Sequence, residues 1–427
     1  MTSRQEVMSE MNFDKSPGLQ FLPSVLGGTA AAYCFLVLYA AITSFDRPTP
    51  WYHAQVSYEL ILAASVLFLP FMFGQGWRLE RLVSNWRPWL AVCLGLGLAT
   101  IFSVDPVVSL PRLRLIYSVV LIGFMFRAWF ARSDGSVIAM VMLAFAMVHA
   151  VLLALVLVAY DRASGDLGEY NTWLPYHSHI RHLGYHGTVA ASAGLAFSLL
   201  VPRFRLVGLF LSALALFGLI YFGSRGALLT WIVFVSAAVF LGVDRKRLLL
   251  TAIATLVVAW LAATSVGSFK AKHIGTVADR SVSTASVDSR LHLWQGALQA
   301  IKERPLFGYG PEGYKTSRCC APGHIQAHNA VLQITIECGV IGLLAFAWLA
   351  KLTIGDALIR LYRQKKSGDA IIPGRALVAS LIVSLLAYSM VDGILYHVVP
   401  LLILSILCAL LFSIRDGGDA LGKRASQ

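Results

Sequence analysis

The chain has 427 residues and a formal net charge of +13, yet only 13% of its residues are charged and 57% are hydrophobic, at a mean hydropathy of +0.70. A soluble domain carries about 25% charged residues. The composition therefore excludes one large water-soluble core and indicates an all-α polytopic membrane protein. No basic stripe with interleaved aromatics occurs in a soluble stretch, so the positive charge is not a nucleic-acid footprint.

Residues 1–21 are polar and carry both charge signs. Beyond them, apolar runs near the roughly 20 residues that a membrane-crossing helix needs predict twelve spans. They fall at 22–44, 54–74, 86–104, 112–130, 136–160, 183–201, 205–222, 225–242, 247–267, 328–350, 375–393 and 397–414. The first run is too long for a signal-peptide core and lacks a clear small-residue cleavage site, so it reads as a retained helix. Spans 205–222 and 225–242 are separated by so few residues that they form a predicted helical hairpin, as do 375–393 and 397–414. No internal repeat or low-complexity segment is present.

Lysine and arginine set the expected orientation. With a cytoplasmic N-terminus, most of the 35 basic residues fall inside, and the short outer loops keep only Arg47, Arg112, Arg114, Arg162, Arg181 and Arg225. This divides the chain into a cytoplasmic tail (1–21), a nine-helix bundle (22–267), an outer loop (268–327), three further helices (328–414) and a second cytoplasmic tail (415–427).

Two outer segments are long enough to build a site. The first, 161–182, is rich in histidine (His177, His179, His182) and aromatics. The second, 268–327, contains SRLHLWQGALQAIKERP, a predicted helix capped by Asp288 or Ser289 and stopped by Pro305. Leu291, Trp294, Leu298 and Ile301 fall on one of its faces, which is expected to pack on the bundle or lie in the interface. The following PLFGYGPEGY, with Tyr309, reads as a tight loop. It lacks the lysine of a phosphate-cradling loop.

His328 and Asn329 sit where the outer segment meets the tenth helix. An imidazole there titrates near neutral pH and can serve as a base, or it merely caps the helix. Arg225, in FGSRGALL, stands at the outer end of a helix. A charge in that position marks a functional site or ion pair, or snorkels to lipid phosphates. Asp392, near the outer end of the eleventh helix, needs a partner. Cys319, Cys320, His324 and His328 form a C-C-x3-H-x3-H string. Adjacent cysteines depart from zinc-site spacing, and no metal is assigned. No two outer carboxylates are spaced as D-x-D or E-x-D to hold a cation. The outer face offers arginines instead, which bind phosphate bidentately and stay charged.

Three segments, GSRGALL at 223–229, SRLHLWQGALQAIKERPLFGYGPEGY at 289–314 and AHNAVLQITIECGVIG at 327–342, together resemble the core of the O-antigen ligases. That superfamily includes O-antigen polymerases and bacterial protein O-oligosaccharyltransferases. The resemblance implies a GT-C-type glycosyltransferase of the bacterial inner membrane with its site facing the periplasm. The donor would be a glycan on undecaprenyl pyrophosphate and the acceptor a sugar hydroxyl of lipid A–core oligosaccharide, with inverting transfer and no metal or cofactor. It maps catalytic roles onto Arg225, Arg290 and His328, and substrate contacts onto these and Asn329, Trp294, Tyr309 and Asp392. The protein-glycosylating members are usually longer, which favours the ligase. A transporter or flippase is the alternative of another class. Such proteins show repeat symmetry and charged, broken helices at the bilayer midplane, whereas the ionisable residues here gather at the outer surface.

Overall fold

The computed structural model describes residues 86–130, 136–163, 180–266, 285–317, 325–369 and 371–413. The first two predicted spans, both tails, His177, His179, Cys319, Cys320 and His324 lie outside the described residues. Among the described residues, regular structure is entirely helical. Each predicted span within them is occupied by a helix: α1 (Trp86–Ile101), α2 (Pro106–Phe130), α3 (Ser136–Ala163), α4 (Ile180–Leu200), α5 (Arg205–Tyr221), α6 (Arg225–Phe240), α7 (Arg245–Val266), α9 (Ala330–Ala350), α11 (Pro373–Ser389) and α12 (Val398–Ser413). The amphipathic outer helix is α8 (Ala285–Glu303), and α10 (Asp356–Ser367) follows α9.

Among the described residues, five stretches are long and apolar enough to cross a membrane: Pro106–Phe124, Ser136–Val158, Pro202–Tyr221, Arg245–Val266 and Ala330–Ser367. Four shorter apolar helices accompany them. Large apolar side chains such as Leu206, Phe210, Leu250 and Trp260 point outward, as a lipid-facing belt requires. The core is centred on α11, whose Leu377, Ile382 and Leu385 are fully buried among α3, α4, α6 and α12.

Helices α4 and α5 pack backbone to backbone. A Cβ on Gly194 would meet Ser212 N at 2.7 Å, and one on Gly208 would meet Gly194 O at 2.7 Å. Small residues permit this approach where lipid supplies no hydrophobic drive between helices.

On the face of α8 that carries Leu291, Trp294, Leu298 and Ile301, Leu291 and Leu298 are exposed and Trp294 and Ile301 are half-buried, while Leu293, Ala297 and Ala300 are fully buried. The alanines let α8 sit close to α9. One expectation is corrected. It concerns 328–350, read as one unbroken helix. Gly339 has φ 65 and ψ −173, which breaks α9 in its middle. The PLFGYG loop fills the break. Tyr309 N donates to Ile336 O (2.8 Å), Gly310 N to Glu337 O (2.9 Å), and Val340 N to Pro305 O (2.8 Å). A broken helix exposes backbone groups that need partners, and this loop supplies them. Its glycines therefore serve close backbone contact.

Candidate functional site

The site forms where the loop entering α9 meets the turn leaving α11. His328 adopts φ 53, a left-handed conformation that side-chain-bearing residues rarely hold without external constraint. The constraint comes from both sides. Ala327 N donates to Gln333 Oε1 (2.8 Å), and the Trp294 indole donates to Ala327 O (3.0 Å). Beyond His328, Asn329 Oδ1 accepts from Leu332 N (3.1 Å) as the N-cap of α9, and its Nδ2 donates to Met390 O (3.0 Å). Trp294 and Asn329 thus fix the histidine rather than offering free polar ends.

His328 Nδ1 lies 3.1 Å from Asp392 Oδ1. The same oxygen accepts from Tyr185 Oη (2.9 Å) and Gly393 N (2.7 Å). Burial pushes the Asp392 carboxyl up. The His328 hydrogen bond and charge, the Arg181 charge and the Gly393 N–H outweigh it and hold the group at about 2. Arg181 Nη1 stands 3.4 Å from His328 Nε2. A guanidinium only donates, so Nε2 carries the lone pair and Nδ1 the proton that faces Asp392. This is the tautomer that a histidine base needs.

Arg181 stands beside this pair, and two further arginines are tied to Tyr388, Arg225 through its sequence neighbour Gly226 and Arg290 through its charge. Arg225 is the first residue of α6 and is exposed. The next residue, Gly226, packs on Tyr388, whose ring a Cβ there would meet at 3.0 Å. Arg181 and Arg290 both lie within electrostatic reach of the Tyr388 hydroxyl. A cation in the first turn of a helix is opposed by the macrodipole. Arg225 and Arg181 both sit there, so the arrangement costs stability and raises a positive potential suited to an anion. Arg290, expected to open its helix, lies instead in the second turn of α8.

Tyr309 stands apart from these residues. Its hydroxyl donates to Glu303 Oε2 (2.6 Å) within the loop that plugs α9.

A cavity of about 320 Å³ starts at the His328–Asp392 pair and follows α9 to Thr353, between α1, α2 and α12. Beyond its polar end it is walled by side chains such as Ile116, Leu349, Leu404 and Phe412. Arg112 and Gln326 also line it. The sequence reading missed Arg181, Tyr185, Arg112 and Gln326 as site residues. Arg112 was placed in an outer loop, but α2 begins at Pro106 and carries it into the bundle, 8% exposed. No group of three or more His, Cys, Asp or Glu suited to a metal occurs among the described residues.

Residues 210–347 match the family model described as O-antigen ligase. This segment belongs to the O-antigen ligase family. No curated protein matches the chain. The ligase segment contains Arg225, Arg290 and His328, the break in α9 and the loop that fills it. Asp392, Arg181, Tyr185 and Arg112 lie outside it and reach the site through packing. The match supports a ligase-type membrane enzyme of lipopolysaccharide-related glycan transfer, with a lipid-linked glycan and a lipid-anchored acceptor as its general substrates.

Proposed function

We propose that the protein is an O-antigen ligase of the bacterial inner membrane, with twelve spans in a GT-C-type architecture, both termini cytoplasmic and its site at the periplasmic face. It transfers a glycan from undecaprenyl pyrophosphate to a sugar hydroxyl of lipid A–core oligosaccharide. The observation that carries this reading is a histidine–carboxylate pair at the polar end of an apolar cavity. Below the pair the cavity runs along α9 as far as Thr353 between apolar side chains, a lining that suits a prenyl chain.

In this reading His328 Nε2 takes the proton of the acceptor hydroxyl, and Asp392 steadies the imidazolium that forms. The acceptor oxygen bonds to the anomeric carbon as the bond from that carbon to the pyrophosphate oxygen breaks. Displacement in one step inverts the anomeric configuration. The electron pair leaves on the pyrophosphate, and Arg225 and Arg290 neutralise it where other enzymes use a divalent cation. Arg181 gives up Nε2 when the acceptor hydroxyl arrives. It is exposed, so it has room to turn away.

Deletion of the gene in its host, read on a lipopolysaccharide gel, tests the assignment. Loss of the ladder with accumulation of lipid-linked polymer is expected. A single-repeat band reassigns the protein as a polymerase. Lipid flipping in proteoliposomes without glycan transfer makes it a transporter.

A further inference from the structure

Two buried polar groups on the cavity wall have atoms that the His328–Asp392 chemistry does not use. Arg112 is 8% exposed and its Nε has no hydrogen-bond partner; the nearest carboxylate oxygen, Glu312 Oε1, is 3.7 Å away. Gln326 is 6% exposed and its Oε1 is likewise unmet. An unsatisfied buried polar group costs stability, and two on one cavity wall mark a place where a ligand completes the bonding. Both gather on the turn between α11 and α12. Arg112 Nη2 donates to Tyr396 O (2.7 Å), and the Gln326 amide faces His397 Nε2 at 3.4 Å.

Arg112 can offer Nε to a ligand while Nη2 stays on Tyr396 O, and without stranding Glu312. Glu312 also has Lys315 as an ion-pair partner and accepts a hydrogen bond from Tyr396 Oη. Its carboxylate stays compensated when the guanidinium leaves. Arg112 is also within electrostatic reach of Glu337, two turns into α9. It therefore stands deeper along the cavity than His328.

We propose that Arg112 and Gln326 form a second anion subsite in the cavity, which takes the lipid-bound phosphate of a prenyl pyrophosphate donor. The proposal rests on the donor reading above and deepens it. Arg225 and Arg290, as in the proposed function, hold the sugar-proximal phosphate, and Arg112 holds the phosphate next to the prenyl chain. Arg112 is then a positioning residue that sets where the anomeric carbon stops relative to His328.

A purely architectural role, stapling the 394–396 turn to Glu312, makes different predictions. The test uses the detergent-purified full chain and measures binding of farnesyl pyrophosphate, farnesol and inorganic pyrophosphate by calorimetry. Arg112→Met is expected to weaken farnesyl pyrophosphate about tenfold or more, with farnesol binding unchanged and Arg112→Lys in between. Glu312→Gln is expected to tighten farnesyl pyrophosphate, because it removes the competing carboxylate. Equal losses from Arg112→Met and Glu312→Gln, or a parallel loss of farnesol, would assign the staple role and overturn the subsite. Inorganic pyrophosphate binding as tightly as the prenyl probe would overturn the claim that the phosphate arrives on a lipid. A wild type that binds no prenyl pyrophosphate overturns the donor reading and this proposal together. Wild-type binding that Arg112→Met leaves intact overturns this proposal alone.

Discussion

His328 Nδ1 and Asp392 Oδ1 stand 3.1 Å apart across 64 residues of sequence, and Tyr185 and Gly393 donate to the same carboxylate oxygen. The pair fixes the imidazole tautomer, so Asp392→Asn is expected to present the wrong one. Turnover should fall at least about 100-fold, within the range of general-base effects, while lipid-donor affinity changes little. Parallel measurement of turnover and donor binding on the purified variant checks this. Lost binding with normal turnover at saturation would reassign Asp392 to donor recognition.

The same pair sets a pH response. Asp392 is held at about 2, below its ordinary 3.8. It is ionised between about pH 5 and 8 and adds no inflection to the rate there. The stability contribution of Asp392, by contrast, does depend on pH. The Asp392 contribution is complete above about pH 4 and is lost as pH falls through about 2. It amounts to about 2 kcal/mol. Thermal unfolding should show this loss in the wild type and lack it in Asp392→Asn.

The helices were legible because a span of hydrocarbon demands a long apolar run, which any helix in lipid must show. His328 and Asp392 were legible for the converse reason: a polar side chain at the end of such a run stands out. Their pairing was not, since it depends on how α9 meets the end of α11. Arg181 looked like one more loop cation, and only a contact spanning 147 residues ties it to His328. Arg112 was hidden by a helix boundary, six residues earlier than the apolar run suggested. Tyr309 was named a substrate contact through the resemblance, and the tight loop that carries it answers the break at Gly339. That glycine, inside an apolar helix, was the available signal for the break.

Arg225→Ala and Arg290→Ala are each expected to cut glycan transfer by two to three orders of magnitude without disturbing membrane insertion. Each would remove a charge-assisted contact to the leaving pyrophosphate, on the order of 3 kcal/mol in the transition state. Lysine at either position should rescue poorly, because the bidentate fork is lost. Wild-type turnover in both alanine variants would make them ordinary interfacial cations.

Transfer is expected to proceed in excess EDTA, since in the proposed function arginines rather than paired carboxylates meet the leaving group. The assay uses purified enzyme stripped of divalent ions. Activity lost to EDTA and restored by magnesium or manganese would refute the arginine assignment.

The break in α9 gives a prediction about folding alone. Gly339 has φ 65, and a Cβ there would stand 2.0 Å from Leu306 O; on Gly308, at φ 68, it would stand 2.3 Å from Ile336 O. Both obstructions are backbone carbonyls that hold the broken helix together, so neither can swing aside as a flexible side chain would. Gly339→Ala and Gly308→Ala are each expected to cost about 3 kcal/mol or more, from left-handed strain and overpacking together. The plug also positions α8, whose Trp294 clamps the carbonyl before His328. The surviving folded fraction should therefore lose turnover more than donor binding. Fluorescence-detected size exclusion with a thermal ramp measures the first effect, and single-turnover transfer measures the second. As the control, Gly368→Ala tests a left-handed glycine with φ 79 and nothing within 4 Å of a built Cβ. It should cost only the conformational strain of about 1 kcal/mol. If the three variants unfold at the same temperature, the loop does not plug the helix.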